Sequence, residues 1–175
     1  MISWNRVAIG LGSNLGDRVQ TLLQAIERLQ EDVLQASKVS SLYESPPWGP
    51  VTDQPPFLNA VIVGDSEWKA PAILSYLKTL ERNLGRTPGP QFGPRILDLD
   101  LIAMGELNWK GEGIEVPHPR LAERDFVLLP LKEVWPDWVH PKLGKDVPTL
   151  FRELLKTQPS HARVFAPPPP STKNP

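Results

Sequence analysis

Two aspartates two positions apart, Asp98 and Asp100, are the residues of this chain best placed to do chemistry. They lie in Gly93-Pro94-Arg95-Ile96-Leu97-Asp98-Leu99-Asp100-Leu101-Ile102, a run that alternates with period two. On a strand, Leu97, Leu99 and Leu101 point to one face and Ile96, Asp98, Asp100 and Ile102 to the other. Aspartate is depleted in strands, and side chains at i and i+2 stand only about 7 Å apart. Two carboxylates that close repel unless a cation sits between them. Mg²⁺ suits the position, because it takes one or two carboxylates together with substrate phosphates. A bare Asp-x-Asp is common and, taken alone, favours a solvated polar face on an edge strand. The arginine and the Gly/Pro-rich loop before it favour the metal.

That loop, Gly85-Arg86-Thr87-Pro88-Gly89-Pro90-Gln91-Phe92-Gly93-Pro94-Arg95, has the composition of a lid flanked by two arginines. Guanidinium groups bind phosphate oxygens bidentately, and mobile lids order over nucleotides and exclude water. A second cluster is Ser45-Pro46-Pro47-Trp48-Gly49-Pro50 with Phe57 and Asn59. Aromatic rings stack on flat heterocycles, and an Asn amide both donates and accepts along their edge. Packing alone would account for Trp48 and Phe57, but a polar amide within a strand needs partners. Val116-Pro117-His118-Pro119, followed by Arg124-Asp125-Phe126, makes a rigid turn. Its histidine carries a donor for a phosphate or ribose, though spacing alone does not assign it. Gly12-Ser13-Asn14-Leu15-Gly16 lacks the Gly-Lys-Ser/Thr of a P-loop and reads as a tight strand-to-helix turn.

The elements that must position these residues follow from periodicity. Residues 7–11 form a short buried strand. Asp17 caps a helix striped by Val19, Leu22, Leu23, Ile26, Leu29 and Val33. Residues 38–44 form one strand and residues 45–56, with five prolines, a loop. Residues 57–64 form a strand with Leu58, Ala60 and Ile62 on one face. Pro71 opens a second helix striped by Ile73, Leu74, Leu77, Leu80 and Leu84, and Gly85 closes it. The aspartate strand comes next. The order strand, helix, strand, strand, helix, strand is the ferredoxin-like βαββαβ pattern of an α+β protein. It predicts an antiparallel sheet with both helices on one face and the site on the face they leave open. Beyond Gly105 the pattern predicts a hairpin over 109–116, a helix or capped turn over 126–134, and a final helix over 148–156.

Composition bounds the rest. The 175 residues suit one domain, expected over 1–165. Net charge is −1, which argues against a nucleic-acid coat or a binder of anionic membranes. No cysteine is present, so disulfides, thiolate catalysis and zinc-thiolate sites are excluded. The N-terminal residues lack the apolar core of a signal peptide. A cytoplasmic monomer acting on small molecules is the expectation. The proline-rich segment 166–175 is expected to be a disordered tail.

Seven pieces of the chain, in order, resemble 6-hydroxymethyl-7,8-dihydropterin pyrophosphokinases of folate biosynthesis. They are Gly12 to Gly16, Pro46-Pro47-Trp48-Gly49-Pro50, Phe57-Leu58-Asn59-Ala60, Glu81 with Leu84-Gly85-Arg86, Gly93 to Ile102, Val116-Pro117-His118-Pro119, and Arg124-Asp125-Phe126. The resemblance implies transfer of the β,γ-pyrophosphoryl group of ATP to the pterin hydroxymethyl oxygen, leaving AMP. It implies two Mg²⁺ ions on Asp98 and Asp100, with Arg86 and Arg95 steadying the transferring group. It places Lys78, Glu81, Arg95, Leu101, His118 and Arg124 on the ATP side. Ser45, Pro46, Trp48, Phe57, Asn59 and Phe126 would line the pterin pocket, with Phe57 and Phe126 on the two ring faces. The chain departs from many relatives at Pro88, where a second lid arginine is common, and at Phe92, Lys78 and Pro119.

Two other classes share the element order. A palm-type nucleotidyl cyclase or transferase also pairs carboxylates, but leaves Trp48, Phe57, Asn59 and Phe126 without a role. An RNA-recognition module needs exposed strand aromatics, whereas this strand presents Asp98 and Asp100.

Overall fold

The structure, a computed structural model, describes residues 3–111 and 113–170. Strand β1 (Asn5–Ser13) leads through a turn into helix α1 (Arg18–Asp32). The Asp17 carboxylate accepts from the Gln20 N–H and caps that helix. Next come β2 (Gln35–Val39), β3 (Leu42–Ser45), β4 (Phe57–Ser66), helix α2 (Ala70–Asn83) and β5 (Asp98–Met104). A hairpin of β6 (Trp109–Gly111) and β7 (Ile114–Val116), helices α3 (Asp125–Val134) and α4 (Val147–Thr157), and strand β8 (Arg163–Ala166) complete the chain.

The main sheet has the order β5-β1-β4-β3-β8, with β2 beside β3 on the same edge of β4. Every pairing is antiparallel. This is the ferredoxin-like arrangement that the element order predicts. Helices α1 and α2 cover one face, burying Leu22, Ile26, Leu29, Ile73 and Leu77 against Ile9, Leu58, Ile62, Leu99 and Leu101.

The opposite face is not left open along its whole length. Ala8, Val61, Val63, Ile102 and Ala103 form a second core with Leu128, Leu131, Trp135 and Leu150. The C-terminal extension therefore roofs half of this face, because those strand positions are themselves apolar. The other half, where Asp98, Asp100, Phe57 and Asn59 stand, is the cleft.

Two local expectations are corrected. Residues 38–44 are not one strand. Ser40 breaks the run, its N–H donating to the Val61 carbonyl and its hydroxyl accepting from the Val61 N–H. Ala166 is not in a tail but in β8, paired with Leu42. Of the expected tail, 171–175 lies outside the described residues.

Candidate active site

The acid strand is fixed before the acids do anything. Helix α2 ends in a Schellman motif: Gly85, at φ +99°, donates to the Arg82 carbonyl and Arg86 donates to the Glu81 carbonyl. This turn aims the Arg86 side chain at β5. Its guanidinium pairs with Glu81 and with Asp98, the latter at 2.9 Å. Glu81 is 2% exposed and also accepts the Leu99 N–H at 2.7 Å. Lys78 reaches the same carboxylate at 3.3 Å. Arg95 donates to Asp98 at 2.9 Å. Its backbone is held by Asn14, which exchanges two bonds with it: Arg95 N–H to Asn14 Oδ1 and Asn14 N–H to the Arg95 carbonyl. The Asn14 amide also donates to Gln54 Oε1 and the Pro55 carbonyl, tying three loops together. The Gly12 to Gly16 turn thus does more than redirect the chain.

Beside the acids the cleft floor is bare. Gly12 lies across from Asp98 on one side and Asn59 on the other, and Gly10 lies between Asp100 and Val61. A Cβ on Gly12 would meet Asn59 Oδ1 at 3.4 Å and the Phe57 ring at 3.7 Å. Neighbouring strands lie about 4.8 Å apart, so Asn59 and Asp98 face each other across roughly 10 Å of glycine floor. Asn59 is 6% exposed, and its amide donates to Ser45 Oγ at 2.9 Å.

The far wall comes from the segment after β7. The His118 N–H donates to the Ile102 carbonyl, and His118 Nδ1 accepts from the Arg120 N–H. Burial, with help from Arg124, pushes its imidazole down to about 4. Arg124 stands 3.8 Å from Asp100 and 4.7 Å from the Trp48 ring centroid. Its Nε is buried and finds no acceptor among the described residues. Burial and the neighbouring Asp98 push Asp100 up to about 6.

The cavity encloses about 360 Å³. Of the expected residues, Ser45, Pro46, Trp48, Phe57, Asn59, Lys78, Arg95, Asp98, Asp100, His118, Arg124 and Phe126 line it. Arg86 and Glu81 sit behind the wall, where Arg86 pairs with Asp98 and Glu81 holds the β5 backbone at Leu99. Leu101 does not join them: its side chain is buried in the helix-side core. That orientation follows from the alternation that sends Asp100 to the cleft. Unforeseen in the lining are Arg120 and the floor glycines Gly10 and Gly12. Glycines at i and i+2 on a buried strand are the signal that could have found the floor.

The donor set fits Mg²⁺. No group of three or more His, Asp or Glu that could hold a metal occurs among the described residues. Two carboxylates beside several cations instead match an ion whose other ligands are phosphate and water. Burial first, and the Asp98 charge second, disfavour the ionised Asp100, and a bound cation would offset both.

A ferredoxin-like sheet with paired carboxylates, clustered cations and an aromatic-walled pocket is the kind of arrangement a phosphoryl-transfer site acting on a flat heterocycle requires. The chain belongs to the 7,8-dihydro-6-hydroxymethylpterin-pyrophosphokinase (HPPK) family, whose sequence profile matches residues 8–136. A pyrophosphokinase of this kind from Aquifex aeolicus is 38% identical over 141 residues, covering 81% of this chain and 87% of that one. One from Porphyromonas gingivalis is 41% identical over 140 residues, covering 78% and 94%. The folic acid synthesis protein fol1 of Pneumocystis carinii is 39% identical over 149 residues, but this chain spans only 20% of its length. A Plasmodium falciparum HPPK-DHPS crystal structure shares the fold at TM-score 0.70 and 16% identity, over 89% of this chain and 46% of that one.

Proposed function

We propose that the chain transfers the pyrophosphoryl group of ATP to 6-hydroxymethyl-7,8-dihydropterin, a step of folate biosynthesis. The hydroxymethyl oxygen attacks the β-phosphorus, the bond to the α,β-bridging oxygen breaks, and AMP leaves. The hydroxyl proton is released. The observation that carries this reading is the glycine floor between Asn59 and the aspartates. It leaves room for a flat ring held by its edge at Asn59, with its substituent directed at Asp98 and Asp100.

Phe57, Phe126 and Trp48 would hold the ring faces. Asn59 and Ser45 would read its edge. Lys78, Arg95, His118 and Arg124 would hold the triphosphate, and Arg86 with Glu81 would position Asp98. Two Mg²⁺ ions on Asp98 and Asp100 would neutralise the triphosphate and polarise its oxygens. Most of the catalysis is then positioning and charge stabilisation. A monomer in the cytoplasm is proposed on composition. No helix among the described residues is long and apolar enough to cross a membrane.

The test is the product of ATP consumption with Mg²⁺ and the hydroxymethyl dihydropterin. AMP and the pterin diphosphate should form in equal amounts. Release of ADP, or of free pyrophosphate with a cyclic nucleotide, would overturn the proposal.

A further inference from the structure

Three loops meet at the mouth of the cleft. Trp48 comes from residues 46–56, Phe92 from residues 86–95, and Arg120 from the turn after β7. The Trp48 and Phe92 rings lie 5.9 Å apart, and a Cβ on Gly49 would come within 3.1 Å of the Phe92 ring. The Arg120 guanidinium lies 5.1 Å from the Trp48 centroid and 5.5 Å from the Phe92 centroid. Two aromatic faces thus fix a planar cation in place, and such contacts position without neutralising.

The charges around it do not balance. Arg86 and Arg95 are both committed to Asp98, and Arg124 faces Asp100. Arg120 forms no ion pair among the described residues, although it lines the cavity. Its charge disfavours protonation of both His118 and Arg124. Cations crowded against one wall of a cavity, with one held rigid and uncommitted, are completed by an anion.

We propose that Arg120 is a substrate-binding residue that holds a phosphate of the nucleotide. This rests on the pyrophosphokinase reading, which supplies the triphosphate. Through Phe92, Arg120 also joins the aromatic wall to the loop of residues 86–95.

The test separates charge from packing. Arg120→Met keeps an unbranched apolar stem against Trp48 and Phe92 but removes the cation. Arg120→Lys keeps the cation without the fork. Calorimetry with Mg²⁺ would measure inorganic tripolyphosphate, α,β-methylene-ATP and hydroxymethylpterin separately. Arg120→Met should weaken both phosphate ligands by about tenfold, the size of one charge-assisted hydrogen bond, and pterin by less than about twofold. Arg120→Lys should recover part of the loss. Unchanged tripolyphosphate affinity in Arg120→Met, or equal losses for phosphate and pterin, would overturn the assignment. If the parent protein itself bound no α,β-methylene-ATP, the pyrophosphokinase reading would fall and this inference with it.

Discussion

At the scale of single residues, the site is an arrangement of charges that hold one another in place. Asp98 receives two guanidinium groups, while Asp100 has the more distant Arg124. Asp98→Ala or Asp100→Ala should lower turnover by several orders of magnitude and leave the fold intact, checked by steady-state kinetics and thermal melting. Near-normal turnover in both would remove the acids from the chemistry. Asn59→Ala should weaken pterin binding by about 1–3 kcal/mol, because a buried edge group loses its partner; ATP affinity should barely move. Calorimetry of each ligand decides. Two groups also carry opposite pH signatures. Asp100 sits at about 6 in the fold against its ordinary 3.8. Its contribution to stability is full below about 4 and is lost as pH rises toward 6. His118 sits at about 4 against 6.5. Its contribution is full above about 6.5 and is lost as pH falls toward 4. The two slopes offset each other in the parent. Urea denaturation in chelator should therefore show Asp100→Asn gaining stability with rising pH across this window and His118→Gln losing it.

At the scale of elements, the turn closing α2 carries more than a helix end. Gly85 sits at φ +99°, and the nearest atom to an added Cβ is Ile96 Cδ1 at 3.5 Å. The cost of Gly85→Ala is therefore backbone strain rather than collision, about 1–2 kcal/mol. Because Arg86 follows directly, turnover should fall with stability. Gly89→Ala, in open space within the same loop, should change neither. Urea denaturation and turnover of the pair test this. Elements with strong periodicity were legible in the sequence: α1, α2, β4 and the aspartate strand all appear where their apolar stripes place them. So was most of the lining, because Asp98, Asp100, Phe57 and Asn59 declare their face by period two. The break at Ser40 was not, since it depends on a hydroxyl reaching the backbone of β4. Strand β8 was hidden because Arg163, Val164 and Phe165 are exposed and prolines follow, leaving no alternation to detect. Arg120 was hidden too. Its significance lies in Trp48 and Phe92, which are distant in sequence.

At the scale of the whole molecule, α3 is secured at both ends by carboxylates. At its far end Glu133 accepts from the Ser41 N–H and hydroxyl and from the Tyr43 hydroxyl. At its start one oxygen of Asp125 accepts from Ser160 Oγ, the His161 N–H and the Ala162 N–H. Asp125 lies between Arg124 and Phe126, two residues of the cavity wall. The segment leading into β8 therefore braces the cleft from behind. His161→Pro deletes a donor at 2.7 Å and should lower stability by about 1–3 kcal/mol. It should weaken pterin binding as well, and melting with ligand titration would show both; a stable variant with full affinity would dismiss the brace. Two of the three donors belong to the main chain, and this shapes how the segment can drift over evolutionary time. At the exposed position 161 almost any side chain can stand while the brace survives, whereas Ala162 is buried and limited to small residues. A mutational scan scoring side chains would record position 161 as neutral, and only its proline column would reveal that it supports the site.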